Sequence, residues 1–203
     1  WVKFDTLGTT DTLMAKWDYS TQGCITVAID NSSSDELIIF VANSITDLGS
    51  NRTTTTNANL TTGVWYMISI IYDGSQANID RVKVYVNGSI KTTTTNGTIA
   101  TSLTTATSSF KIGKWGGGLT RYIDGLVSEV SFFNTALSQA NVTEIYNGGI
   151  SNDISNLNPI SYWRSEFATW DGSNWTMIDQ GSGANNGLTS SMPLTSRTSD
   201  VPT

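Results

Sequence analysis

The sequence predicts one all-β domain, a two-sheet antiparallel β-sandwich with a single short helix near residues 138–147. Short apolar segments recur along the 203 residues, and turn residues separate them. The chain is rich in Thr, Ser and Asn, and only 14% of its residues are charged, which suits sheets with polar outer faces. A chain of this length is long enough to enclose one hydrophobic core, so we expect residues 1–203 to form a single domain.

Local patterns assign the strands. Residues 64–72 are apolar on both faces, which predicts one central, covered strand. The strand at residues 81–86 alternates between apolar and polar residues and ends at Asn87-Gly88, which predicts a two-residue type I′ turn because both positions need positive φ. Two Thr runs, at 53–56 and 92–95, are predicted as exposed edge strands or loops. The clearest strand segments in chain order are WVKF, TLMAKW, CITVAI, ELIIFVA, VWYMISIIY, RVKVYV, FKIG and GLVSEVSFF.

One helix is predicted after these strands. Ser138 is a suitable N-cap for the segment QANVTEIYN, and Gly148 is a suitable C′ residue. Val142, Ile145 and Tyr146 follow the i, i+3, i+4 spacing and therefore share one face. We expect that face to pack on the sandwich.

The charge and the cysteine count exclude several classes of partner. The net charge of −6 and the pI of about 4.4 disfavour nucleic acid and anionic membrane surfaces. No apolar run approaches the length of about 18 residues that a membrane-spanning helix needs, so no membrane insertion is expected. Cys24 has no second Cys to pair with and lies in a predicted strand, which favours a buried, inert thiol. The chain begins at Trp1 inside a predicted strand, so we expect either a fragment of a longer polypeptide or a processed start.

The residues needed for common catalytic chemistry are missing from the sequence. The absence of His excludes Ser-His-Asp and Cys-His arrangements. Glycoside hydrolysis needs two carboxylates facing one cleft, but Glu129 is the only carboxylate of its predicted strand, and the spacing places Asp124 on the opposite face. We therefore predict no enzymatic activity and no catalytic residues.

Three loops are candidates for calcium because they are rich in oxygen ligands. Residues 30–36, 73–80 and 171–174 contain Asp, Asn and Ser, but none has EF-hand spacing. Turn formation is the favoured explanation of these residue types. No metal and no cofactor is assigned, and calcium binding is left open.

Four aromatic residues are the candidate contact residues. Trp115 and Tyr122 flank the Gly-rich stretch 116–118, and Trp170 and Trp175 flank a loop near the C-terminus. Sugar rings stack on exposed aromatic rings, so these side chains are candidates for exposed rim residues that contact a glycan or a protein partner. The alternative is that they pack loops onto the sandwich.

Four segments resemble the laminin G-like, concanavalin A-like jelly-roll family and occur in the family's order. They read WYMISIIYDG, VKVYVNG, FKIGKWGGG and YIDGLVSEVSFFNTALSQANVTEIYNGG, and the resemblance extends from Trp1 to about Gly149. Where the family often has Asp-Glu, this chain has Ser128-Glu129. The resemblance implies a jelly roll, and the family serves in adhesion, glycan binding and scaffolding.

The tail, residues 151–203, resembles the ends of laminin G-like domains in structural proteins of marine tailed phages. The family's opening strand, which precedes WVKF, is absent here. We expect residues 160–164 and 187–189 to pair into the sandwich as a replacement and to cover strand edges that would otherwise aggregate.

The expected function is that of a non-enzymatic structural or adhesion domain on a virion surface, as capsid decoration or as a tail or fibre appendage. Its expected location is extracellular, with other virion proteins or surface glycans as partners, and self-association into a homo-oligomer is left open. The alternative is a secreted or cell-surface carbohydrate-binding module, and a glycoside hydrolase is a distant third.

Overall fold

The computed structural model describes residues 1–8, 10–18, 22–30, 35–42, 50–105, 107–115, 121–189 and 192–203. Within these ranges the regular structure is β-strands with one α-helix and a few short 3-10 helices, as expected for an all-β sandwich. The elements are β1 (Val2–Phe4), β2 (Thr12–Asp18), β3 (Gln22–Ile29), β4 (Leu37–Val41), β5 (Arg52–Thr55), β6 (Trp65–Tyr66), β7 (Ile68–Tyr72), β8 (Val82–Val86), β9 (Ser89–Ile90), β10 (Thr93–Asn96), β11 (Lys111–Ile112), β12 (Gly125–Val127), β13 (Val130–Phe132), α1 (Gln139–Tyr146), β14 (Ser161–Trp170), β15 (Trp175–Asp179) and β16 (Gly187–Leu188).

One layer of the sandwich is a six-stranded antiparallel sheet in the order β10-β5-β4-β3-β2-β11. Both Thr runs are strands of this sheet and pair with each other, with Thr93 opposite Thr55 and Thr95 opposite Thr53. β10 lies at the edge of the sheet, as predicted for one of the two runs. Thr tolerates this half-exposed position because its branched side chain fits the pleated surface. The prediction of an exposed edge strand or loop at 53–56 is wrong, because β5 lies inside the sheet with Thr53 and Thr55 buried.

The second layer consists of shorter sheets, in the orders β12-β1-β6, β7-β8-β9 and β13-β14-β15-β16. The prediction of one continuous strand over residues 64–72 is wrong, because the strand breaks at Met67. There Asn87 donates its backbone N–H to the Met67 carbonyl at 2.9 Å and accepts the Met67 N–H at its Oδ1. These bonds transfer the chain from pairing with β1 to pairing with β8.

The main core lies between the two layers. Val2 and Phe4 from β1 and Val84 from β8 meet Val27 and Ile39 of the six-stranded sheet, and none of these five is more than 3% exposed. Cys24 lies in the same core as a free, buried thiol, as predicted. Burial raises the pKa of this thiol, which keeps it protonated and unreactive.

The predicted hairpin turn is confirmed. Asn87 and Gly88 have φ values of 51° and 73°, and they join β8 to β9 with Val86 opposite Ser89. These angles require residues that tolerate the left-handed region, as Asn and Gly do.

The predicted helix is also confirmed, with a small difference at its end. The Ser138 hydroxyl accepts the Asn141 N–H at 3.2 Å, and Asn141 Oδ1 accepts the Ser138 N–H in return, which completes a capping box. Val142 is fully buried against the second layer. The left-handed residue that ends the helix is Asn147, with Gly148 also left-handed directly after it.

The tail extends the sandwich at one edge. β14 pairs with β13, placing Trp163 opposite Val130 and Ser161 opposite Phe132, and β15 and β16 continue the sheet outward. The last residues return to the first strands, where Asp200 accepts a hydrogen bond from Trp65 Nε1 at 2.8 Å and pairs with Lys3. In the described part of the chain, no helix has the length and apolarity to cross a membrane.

Candidate functional site

The six-stranded sheet has a second face that points away from the main core. Strand register brings together side chains from distant parts of the chain on this face, because directly opposite residues point to the same side. Two neighbouring rows of side chains, together called the outer face below, run across the strands. The first row crosses five strands and consists of Ala15, Thr26, Phe40, Arg52 and Asn96. The second row consists of Ala28, Ile38, Thr54 and Thr94.

Exposure increases across the outer face from β3 towards β10. Thr26 on β3 is completely buried, Phe40 and Arg52 are half-buried, and Thr94 and Asn96 on the edge strand are exposed. The accessible part therefore consists of an aromatic ring, a guanidinium group, hydroxyls and an amide.

An aromatic cluster supports the buried end of this face. The Trp115 ring lies 6.1 Å from the Trp17 ring and 6.4 Å from the Phe40 ring, edge to face with the latter. The Arg121 guanidinium covers Trp115 at 5.2 Å from the ring centroid. Trp115 is only 3% exposed, so the expectation that its ring lies exposed is wrong. Its ring packs on the sheet and holds the Phe40 ring in place.

Tyr122 lies near this cluster and is exposed as expected. Its side chain is 51% exposed, and the Lys114 ammonium lies 5.2 Å from the ring centroid. Lys114 and Tyr122 also form an isolated antiparallel bridge. The turn predicted at 116–118 lies outside the described residues. A glycan or partner contact by Tyr122 stays a prediction.

The second predicted pair of aromatic residues lies on another sheet. Trp170 and Trp175 face each other at 5.3 Å where β14 and β15 meet. Trp170 is half-buried, but Trp175 is only 8% exposed and donates its Nε1–H to the Pro193 carbonyl at 3.3 Å. The expected exposure of Trp175 is therefore wrong, because the chain near Pro193 packs against it. The four candidates belong to two separate sheets and do not form one site.

Several buried polar groups on or beside the outer face lack hydrogen-bond partners in the part of the chain that the structure describes. They are Thr12 Oγ1, Trp17 Nε1, Thr26 Oγ1 and Arg52 Nε. An unsatisfied buried polar group costs about 1–3 kcal/mol, and ordered water is the usual partner of such a group.

Sequence reasoning missed Phe40 and Arg52. Period-2 alternation within ELIIFVA separates Phe40 from its core-facing neighbour Ile39, but only the pairing of β4 with β5 places Arg52 beside Phe40. That register is a non-local property.

Glu129, the carboxylate considered for hydrolysis, is engaged in a side-chain network. Tyr162 donates its hydroxyl to Glu129 Oε2 at 2.6 Å, and burial together with this bond raises the pKa of Tyr162. Arg164 approaches Glu129 at 3.2 Å and Glu166 at 2.7 Å. Glu129 does not lie in a strand as predicted, because its φ of 53° separates β12 from β13.

The acidic loops contain turn-forming carboxylates. Asp73 Oδ1 accepts from the backbone N–H and the hydroxyl of Ser75, and Asp171 Oδ1 accepts two backbone N–H groups at 2.7 Å each. These bonds lower the pKa of both carboxyls. Among the residues described, no group of three or more His, Cys, Asp or Glu could hold a metal ion. Most of the loop 30–36 lies outside those residues.

The two β-layers and the single packed helix define a jelly-roll sandwich of the lectin-like class. A profile of the laminin G type 3 family, described as the concanavalin A-like lectin/glucanases superfamily, matches residues 1–143. The chain belongs to this family.

A solved structure with a similar fold is that of a Bacteroides ovatus protein for which carbohydrate binding has been suggested. The TM-score is 0.65 at 20% sequence identity, and the match covers 93% of this chain. The chain spans half the length of that protein. At this identity the likeness shows the fold. A comparison with curated proteins found no significant match.

Proposed function

We propose that the chain is a non-enzymatic glycan-binding domain whose contact surface is the accessible part of the outer face. The observation that carries the proposal is the placement of Arg52. Its side chain lies beside Phe40, half-buried, and its Nε has no hydrogen-bond partner among the described residues. A guanidinium group beside an aromatic ring is suited to a polar ligand that has an apolar side.

Sugars have this combination of surfaces. The C–H face of a pyranose ring packs on the Phe40 ring, while ring hydroxyls accept hydrogen bonds from Arg52. Asn96, Thr54 and Thr94 add donors and acceptors in the neighbouring positions of the sheet. Trp115 contributes indirectly, since it fixes the position of the Phe40 ring.

The arrangement around Glu129 supports a role without catalysis. The Glu129 carboxylate contacts the Arg164 guanidinium and accepts a hydrogen bond from the Tyr162 hydroxyl, so it is engaged in a side-chain network. The chain also contains no His that could serve as a general acid or base.

A glycan array with matched variants tests the proposal. We expect the wild-type chain to bind a defined set of glycans and Arg52→Ala to weaken that binding about 10–100-fold, since a hydrogen bond to a charged group is worth about 1.5–3 kcal/mol. Arg197→Ala is the control, because it removes the same side chain from an exposed position in the tail. Absence of wild-type binding, or equal binding by Arg52→Ala, would contradict the proposal.

The proposed setting is the surface of a virion, where the domain would contact host glycans or neighbouring virion proteins. The resemblance of the tail to phage structural proteins and the Thr-, Ser- and Asn-rich surface support this setting. Quantitative mass spectrometry of gradient-purified particles tests it. Recovery only in a secreted or cell-surface fraction would favour a carbohydrate-binding module that acts outside a virion.

A further inference from the structure

The outer face carries positive charge, although the chain as a whole is acidic. The sequence contains 17 Asp and Glu against 11 Lys and Arg, which gives a net charge of −6. Neither of the two rows that define the outer face contains an Asp or a Glu. Arg52 lies in the first row, and Lys111 on β11 lies opposite Ala15 and extends that row. The formal charge of this face is therefore opposite in sign to that of the chain.

A second guanidinium group lies at the aromatic cluster beside Arg52. The Arg121 guanidinium is 5.2 Å from the centroid of the Trp115 ring, and that ring contacts Phe40 edge to face. Phe40 lies directly opposite Arg52 in the pairing of β4 with β5. This series of contacts places Arg121 and Arg52 at the same part of the six-stranded sheet.

The described residues provide no carboxylate to neutralise these two groups. Ion pairs in the described part of the chain involve Lys3 and Arg164, and neither Arg52 nor Arg121 takes part in one. The Trp115 ring under Arg121 attracts the cation through its quadrupole and is itself uncharged, so the positive charge is not cancelled. Both Arg side chains are half-buried, where water and salt screen a charge less than on an open surface.

An anionic group is the ligand chemistry that fits this arrangement. The planar guanidinium group binds carboxylate or sulfate oxygens through two parallel N–H bonds, and such charge-assisted bonds are stronger than those to neutral acceptors. Arg52 has five N–H donors, so it can bind an anionic group and a ring hydroxyl of the same sugar. The acidic remainder of the chain repels anions and restricts their binding to this face.

We infer that the glycan bound by the outer face is acidic. A carboxylate or sulfate group of the sugar pairs with Arg52, the sugar ring packs on Phe40, and Arg121 adds positive potential beside them. This inference rests on the proposed glycan-binding function and adds the chemical class of the glycan. Uronic or sialic acids and sulfated sugars share this anion chemistry, and the experiment below separates them.

The test is an array in which every acidic glycan is paired with its uncharged counterpart. A uronic or sialic acid is paired with its methyl ester, and a sulfated sugar with the same sugar without sulfate. We expect the wild-type chain to bind acidic members about tenfold or more tightly than their counterparts, and added salt to reduce this preference. Binding to carboxylated members alone, or to sulfated members alone, identifies which anionic group the face binds.

Two variants test whether the preference belongs to the outer face. Arg52→Gln removes the charge and keeps a polar side chain, so the preference for acidic glycans should fall about tenfold, whereas Arg197→Gln makes the same change of net charge in the tail and should leave it unchanged. Thr94→Glu adds a carboxylate at an exposed position of the second row and should weaken only the binding of acidic glycans. Ser89→Glu adds the same charge to β9 in the second layer and is its control.

The outcomes separate this inference from the proposed function. Equal binding of acidic glycans and their uncharged counterparts, or tighter binding of the uncharged ones, would overturn the inference and leave glycan binding standing. Absence of binding to every member would overturn both. A preference for acidic glycans that persists in Arg52→Gln and Thr94→Glu would overturn the assignment to the outer face. If Arg52→Gln fails to fold, the paired glycans with wild type and with Thr94→Glu still decide the question.

Discussion

Replacing Trp115 by Ala should destabilise the domain strongly, although the residue lies next to a Gly-rich stretch that resembles a surface loop. The side chain is 3% exposed and packs against the Trp17 and Phe40 rings, with Arg121 over its face. The substitution removes the whole indole from a closed cluster and leaves a cavity, which typically costs about 3–5 kcal/mol. Part of that cost is the loss of the aromatic pairs, worth about 0.5–1.5 kcal/mol each beyond their buried area.

Chemical denaturation and calorimetry measure the effect. For a domain of this length each kcal/mol changes Tm by about 2–4 °C, so Trp115→Ala should lower Tm by about 6–20 °C. Trp115→Phe keeps an aromatic ring in the cluster and should lose less. Tyr122→Ala is the exposed control and should stay within about 0.5 kcal/mol of wild type.

A different outcome would refute the packing argument. If Trp115→Ala lowered the free energy of unfolding by less than about 1 kcal/mol, Trp115 would not be part of a closed cluster. That result would support the sequence-based interpretation of Trp115 as an exposed contact residue.

Three further changes have clear expected outcomes. Burial raises the pKa of Asp179, but hydrogen bonds from three backbone N–H groups to its carboxylate outweigh that effect and lower it. The ionised carboxylate therefore stabilises the folded state above its unfolded pKa of about 3.9, and this contribution is lost as the pH falls through the folded pKa. Asp179→Asn should therefore destabilise the domain at pH 7 and flatten the acid limb of its stability curve, measured by urea denaturation from pH 2 to 7. Gly125→Ala should destabilise far more than Gly63→Ala in thermal melts, because its Cβ would lie 2.1 Å from the Lys3 carbonyl oxygen, whereas nothing lies within 4 Å at Gly63. Truncation after Gly149 should cause aggregation in light scattering because it uncovers the edge of β13, and a soluble product with unchanged Tm would argue against a covering role for the tail.

The parts of the fold that the sequence predicted correctly depend on local chemistry. Ser138 and Asn141 form a cap within four residues, and Asn87-Gly88 forms a turn whose backbone angles only a few residue types tolerate. The breaks at Met67 and Glu129 were not predictable in this way. Each occurs where the chain changes its strand partner, and the identity of that partner depends on residues far away in sequence.

The same distinction explains the outcome for the candidate site. The Gly-rich composition around Trp115 suggested an exposed rim. Its burial depends on which side chains pack over the sheet, and the local sequence does not indicate them. Arg52 and Phe40 carry no local signal of their own and become a candidate surface only through the register of β4 with β5. Trp115 packs against Phe40, whereas Arg52 is not part of that aromatic cluster. Alanine substitutions at Trp115 and Arg52 should therefore change different properties. Trp115→Ala should lower stability, whereas Arg52→Ala should lower glycan affinity at nearly unchanged Tm.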